Sequence, residues 1–131
     1  MKGHPMQVQT IGTDHAPKAI GPYSQAVRSG NLLFCSGQIP LDPTSNQIVA
    51  GGIREQTERV LKNIAAVLAS QGIGLDHVLK TTVFMTNLAG FAAMNEVYGR
   101  YFGSNPPARS TVQVAALPRG AEVEIEAIAA F

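Results

Sequence analysis

A change of hydrophobic period restricts the fold of this chain more than any other feature. Between Gly52 and Gln71 the apolar residues Ile53, Val60, Leu61, Ile64, Val67 and Leu68 recur at three and four, the stripe of an amphipathic helix, whereas the flanking segments repeat at two. Glu55/Arg59 and Glu58/Lys62 stand at i,i+4 on the polar side, and Gly72 is a suitable stop. A second stripe, Phe91, Met94, Asn95, Tyr98, Tyr101 and Phe102, predicts a helix from about Leu88 to Phe102. Asn95 is its misfit: a buried amide needs hydrogen bonds, either as a structural tie to nearby backbone or at the rim of a pocket.

Strands surround these helices. Residues 6 to 11 are a candidate first strand, Ser24 to Ser29 a second, and the run from Gly30 to Ile39 a third, joined to the second by a tight turn at Ser29-Gly30-Asn31. Val78 to Thr86, rich in valine, threonine and phenylalanine, reads as the next. Arg109 to Ala115 and Glu122 to Ala129 read as a closing hairpin around Leu117-Pro118-Arg119-Gly120. Several strands with two helices at intervals predict an α+β layer, a sheet covered by helices on one face. The 131 residues correspond to a single domain spanning 1–131, able to bury about two-thirds of its unfolded surface without staples.

Composition excludes several function classes. Charged residues make up 15% of the chain and the formal net charge is +1, with no basic or acidic block, so capture of nucleic acid or membrane is not favoured. Low charge in a small chain is compatible with surface covered by self-association. The lone Cys35 cannot form an internal disulfide and reads as a packed hydrophobe; with three scattered histidines it offers no metal-ligand spacing. His15 and His77 read as surface residues, and Gly51-Gly52 lacks the lysine of a phosphate loop. No apolar leader or membrane span is present, which leads to the expectation of a cytoplasmic protein.

The last two strands carry the most informative pattern. In the hairpin reading, a four-residue loop sets Thr111 near Glu126 and Gln113 near Glu124, with Val112 and Val114 on the core side. One face then bears Arg109, Thr111, Gln113 and the carboxylates of Glu122, Glu124 and Glu126. A solvated face with cross-strand Arg-Glu pairs explains this arrangement on residue types alone. A site explains it too, with Arg109 gripping a substrate carboxylate and a partly desolvated glutamate moving protons. Arg28 and Arg119 read as solvated charges.

AIGPYSQAV at residues 19 to 27, SGQIP at 36 to 40, KTTVFMTNLAGFAAMNEVY at 80 to 98 and PARSTVQVAALPRGAEVEIEAIA at 107 to 129 together resemble the reactive-intermediate deaminase A family, also called YjgF or RidA. The resemblance implies a chorismate-mutase-like fold, a homotrimer with a central barrel, and three ligand clefts between subunits. It implies hydrolysis of enamine/imine intermediates such as 2-aminoacrylate, released by pyridoxal-phosphate-dependent dehydratases, to 2-oxo acids and ammonia, with neither pyridoxal phosphate nor metal in the deaminase.

Residue by residue, Arg109 matches the arginine that holds the substrate carboxylate and Glu124 the glutamate that orients water and shuttles a proton. Tyr23, Ser36, Gly37 and Asn95 match residues around the ligand. Thr111 stands where many bacterial members carry cysteine; its main-chain carbonyl serves in positioning water, so no thiol chemistry is implied. The alternatives are a non-catalytic trimer that senses 2-oxo acids through Arg109 and, against the charge balance, a ribonuclease or translation inhibitor.

Overall fold

The computed structural model describes residues 8–131. Six strands, β1 (Val8–Ile11), β2 (Ala26–Ser29), β3 (Leu32–Gln38), β4 (Val78–Met85), β5 (Ala108–Gln113) and β6 (Val123–Ala130), form one mixed sheet in the order β1-β2-β3-β6-β4-β5. The helices α1 (Ile53–Ala69) and α2 (Phe91–Phe102) pack against each other, and α1 lies on β3 and β6. The α+β layer predicted from the periods is therefore present. Of the candidate first strand, residues 6 and 7 fall outside the described residues.

Local chemistry explains the elements. The Glu55 carboxylate turns back to accept from the Gly52 N–H at 2.8 Å and closes the first turn of α1, so it does not pair with Arg59. Of the two expected i,i+4 pairs only Glu58–Lys62 forms, at 3.9 Å. Beyond the C-terminus of α1, Gly72 takes a φ of +75°. Val60, Leu61, Ile64, Val67 and Leu68 are all buried, as the stripe requires. In α2 the buried residues are Met94, Val97 and Tyr98; Val97, outside the stripe, is inside the core, and Phe91, within it, is 38% exposed. The β2–β3 hairpin closes through Gly30 and Asn31, with Gly30 at a φ of +59°.

The closing hairpin does not form. Strand β5 lies parallel to β4, which α2 makes possible by carrying the chain back to the end at which β4 began. Strand β6 then inserts between β3 and β4, antiparallel to both. The segment from Pro118 to Gly120 is a 3-10 turn in the connection, which crosses the end of β4: the Val114 N–H donates to the Met85 carbonyl and the Thr86 N–H to that of Glu122. The expected pairing of Thr111 with Glu126 and Gln113 with Glu124 is replaced by Thr111 beside Val83 and Gln113 beside Met85.

Register assigns the faces. Thr81, Val83 and Met85 of β4 and Val123, Ile125, Ala127 and Ala129 of β6 are buried under the helices. Lys80, Thr82 and Phe84, with Glu124, Glu126 and Ile128, occupy the open face. Val112, beside Phe84, belongs to this open face and is 42% exposed, so it is not the core residue expected.

Candidate functional site

The changed topology separates residues that the hairpin reading had put together. Arg109 is in register with Thr81, which pairs in turn with Ala127, both buried beneath the helices. Thr111 follows it on the same side. Glu124 is in register with Phe84, on the open side. Arg109 and Thr111 therefore do not share a face with Glu124; they belong to a different surface of the same chain.

On the helix side, Arg109 is built into a rigid seat. Its Nη1 donates to Oδ1 of Asn95 at 2.7 Å, and the guanidinium carbon lies 4.7 Å from the centroid of the Tyr98 ring and 5.4 Å from that of Phe91. The Tyr98 hydroxyl is pinned at 2.7 Å to Oγ1 of Thr81, the strand neighbour of Arg109. Burial raises the pKa of Tyr98 and keeps that hydroxyl protonated. The Asn95 misfit is thus a tie to a side chain rather than to backbone, and its amide N–H groups remain available as donors. Neither ion pair found among the described residues involves Arg109, so the seat presents an unneutralised, half-buried cation. The Thr111 hydroxyl, two residues along, is buried without a hydrogen-bond partner.

On the open side, Tyr23, Ser36, Gly37 and Glu124 come together in a hollow of about 430 Å³, together with Ile39, Pro118 and Glu126. Gly37 makes room for the carboxylate: a Cβ built there would collide with the side chain of Glu124. Burial raises the pKa of Glu124 above its ordinary 4.5, and the neighbouring Glu126 charge raises it further. Ser36 Oγ donates to the Ser24 carbonyl at 2.6 Å, which leaves its lone pairs to accept. The Tyr23 hydroxyl accepts from the Ile20 N–H at 3.4 Å and keeps its own proton to donate.

The loop that carries Tyr23 is held by Gln25, which is 5% exposed: its amide donates to the Thr13 and Pro17 carbonyls at 3.0 and 2.8 Å, and its oxygen accepts from the Thr13 N–H at 2.7 Å.

The sequence reading did not assign the platform role of Tyr98 and Phe91 or the presence of Ile39, Pro118 and Glu126 in the hollow. The aromatic residues stood in the α2 stripe, but periodicity cannot distinguish a core ring from one that supports a cation. Cys35 is buried, with its thiol pushed up to about 11, in keeping with a packed hydrophobe. Arg28 stacks on the Phe131 ring at 3.6 Å, and Arg119 donates to the Asn46 carbonyl at 3.2 Å. No group of three or more His, Cys, Asp or Glu among the described residues could hold a metal ion, and no helix there is long and apolar enough to cross a membrane.

Residues 13–131 match the endoribonuclease L-PSP family. The chain is 57% identical to protein DfrA of Myxococcus xanthus over 126 residues, covering 95% of this chain and 96% of that protein. It is 49% identical to the 2-iminobutanoate/2-iminopropanoate deaminase of Mus musculus over 121 residues, covering 92% and 90%. The fold superposes on E. coli TdcF, solved with bound serine, with a TM-score of 0.90 at 43% identity, over 94% of this chain and 98% of that one.

Proposed function

This chain belongs to the endoribonuclease L-PSP family, the YjgF/RidA family of the deaminase relatives, and on that premise we propose that it hydrolyses 2-imino acids such as 2-iminopropanoate and 2-iminobutanoate to 2-oxo acids and ammonia. One observation carries the reading. A guanidinium fixed by Asn95 and two rings, with no carboxylate partner, is a prepared seat for an organic anion, and the same sheet bears the half-buried carboxyl of Glu124, which burial makes a better proton carrier than a free carboxylate by raising its pKa above the ordinary value.

Because the two groups occupy opposite faces, one chain supplies two half-sites. The cleft is completed between copies: Arg109, Asn95 and Thr111 of one subunit face Tyr23, Ser36, Gly37 and Glu124 of the next, in a closed homotrimer. The open sheet face supports this assembly, since Phe34 at 43% and Val112 at 42% exposure are apolar surface that a neighbouring copy would cover.

In the cleft, Arg109 holds the substrate carboxylate in a two-pronged grip. Glu124, with the Thr111 carbonyl, positions a water against the imine carbon and takes its proton. The water oxygen bonds to that carbon as the C=N π pair moves to nitrogen, to which Glu124 passes the proton it took from the water. The tetrahedral adduct then collapses: Glu124 takes the hydroxyl proton as the C=O bond forms and delivers it to the nitrogen as the C–N bond breaks, releasing ammonia and the 2-oxo acid. Tyr23 and Asn95 donate hydrogen bonds to the ligand, and Ser36 accepts one. No cofactor or metal enters these steps.

The test generates 2-aminoacrylate with a serine or threonine dehydratase and follows pyruvate formation. Acceleration by wild type that both Arg109→Ala and Glu124→Ala abolish supports the proposal; no acceleration by folded wild type, also across bulkier imino acids, overturns it. A second reading, a 2-oxo-acid sensor, has a specific support in the serine held by TdcF. Retained ligand affinity in Glu124→Ala with no turnover in wild type would select it. The net charge of +1 gives no electrostatic support to the nuclease activity in the family's description.

A further inference from the structure

Glu124 stands where its strand is least supported. The last β3 partner of β6 is Gln38, opposite Ile125, and the register between the two strands breaks between Cys35 and Gln38. Beyond Ile125 only β4 pairs with β6, Phe84 with Glu124 and Met85 with Val123. One edge of β6 is therefore unpaired beside the hollow, at the residue whose carboxyl cannot shift by an ångström without a large loss of rate.

The missing support comes from α1. Gln56, 5% exposed, directs both ends of its amide to a single residue: its Oε1 accepts from the Glu122 N–H at 2.8 Å, and its Nε2 donates to the Glu122 carboxylate at 3.1 Å. From the other side, the Glu122 carbonyl accepts from the Thr86 N–H at 3.2 Å. Glu122, two residues before Glu124, thus turns toward the helix instead of joining Glu124 and Glu126 in the hollow. A two-point contact fixes orientation as well as distance, and a buried amide with both ends satisfied is costly to move. The same tie ends the connection from β5, whose Pro118 lines the hollow.

We infer that Gln56 is a positioning residue for the deaminase reaction: it sets the lengthwise position of β6 and so the place of the Glu124 carboxyl. The inference rests on the deaminase reading and adds to that site a residue that does not itself line the hollow. Without Gln56 the Glu122 N–H loses its acceptor, and the end of β6 is released on its unpaired edge. Glu124 then gains water and loses its aim. Arg109, on β5 and held by Asn95, keeps its seat, so the grip on the substrate carboxylate is unchanged.

The experiment compares wild type, Gln56→Leu, Gln56→Glu and the exchange of Gln56→Glu with Glu122→Gln, each checked for fold by circular dichroism. Kinetics follow hydrolysis of 2-iminopropanoate, and carbon-13 NMR of labelled side-chain carboxyls follows the titration of Glu124. The titratable groups that line the hollow with it, Tyr23 and Glu126, are the same in all four chains. Gln56→Leu should lower kcat by about tenfold or more while KM changes less than about twofold. It should also bring the Glu124 pKa down toward its ordinary 4.5, because burial is what raises it. Gln56→Glu sets two carboxylates against each other and should lose as much. The exchange rebuilds both hydrogen bonds, with donor and acceptor reversed between the side chains, and should return kcat to within about threefold of wild type. An unchanged kcat or an unchanged Glu124 titration in Gln56→Leu, or an exchange no better than Gln56→Glu alone, overturns the positioning role. If Gln56→Leu does not fold, Gln56→Glu and the exchange decide by the same two readouts. A folded wild type without activity on the imine overturns the deaminase reading instead, and the NMR titration still decides what Gln56 does to Glu124.

Discussion

Arg109 pairs with Thr81 and Glu124 with Phe84, three residues further along the same strand, so the guanidinium and the carboxylate leave opposite faces of one sheet. Side chains alternate across a strand, and an odd separation cannot bring them to one side. This relationship leads to a complementation experiment. Arg109→Ala and Glu124→Ala chains, each inactive alone, are unfolded, mixed in equal amounts and refolded. Clefts between subunits that pair an intact arginine with an intact glutamate should return about a quarter of wild-type activity in randomly mixed trimers. A cleft within one chain would return none.

Gly37 is expected to be intolerant of a single methyl group. Its backbone suits any residue, but a Cβ would fall on the Glu124 side chain. Gly37→Ala should therefore fold and lose kcat by at least about tenfold, as displacement of one reacting group by an ångström does. Circular dichroism and steady-state kinetics check the two halves, and an active Gly37→Ala enzyme would show that the carboxylate position is not critical.

Glu124 titrates above its ordinary value because it is buried and because Glu126 repels its charge. A carboxyl with a raised folded-state pKa holds its proton more tightly when folded. Its contribution to stability is present below the unfolded value, ordinarily about 4.3, and is lost as pH rises through the raised one. Glu124→Gln should then gain stability over wild type at neutral pH, with the gain shrinking in acid, measured by urea unfolding. Glu126→Gln removes the repulsion and should move the limb of the pH–rate profile assigned to Glu124 to lower pH.

Tyr98 is expected to act through Arg109. Tyr98→Phe keeps the ring beneath the guanidinium but leaves the buried Thr81 hydroxyl without its partner, costing about 1–3 kcal/mol of stability with KM little changed. Tyr98→Leu removes the platform and should raise KM more than it lowers kcat. Equal kinetics for the two variants would assign Tyr98 a purely structural role.

Much of the secondary structure was legible because its signals are local. The α1 stripe and the β4 run are patterns within consecutive residues, and Gly30 and Gly72 take the positive φ values that their places in a turn and beyond a helix end demand. The candidate residues were legible by type and motif, but their grouping was not. The platform rings under Arg109 looked like ordinary core residues, and Ile39 and Pro118 carried no signal that they would line the hollow.

By itself the sequence determined the α+β class, the positions of the helices and strands, and the identity of the residues with chemistry to offer. Only the tertiary structure decided which strand neighbours which. Two consecutive strands with matching apolar faces read as a hairpin, yet β6 gains more between β3 and β4, where both its edges are hydrogen-bonded and Val123, Ile125, Ala127 and Ala129 are buried under the helices. Strand pairing is a competition among distant segments, whereas periodicity is a property of neighbours. That competition sent Arg109 to one face and Glu124 to the other.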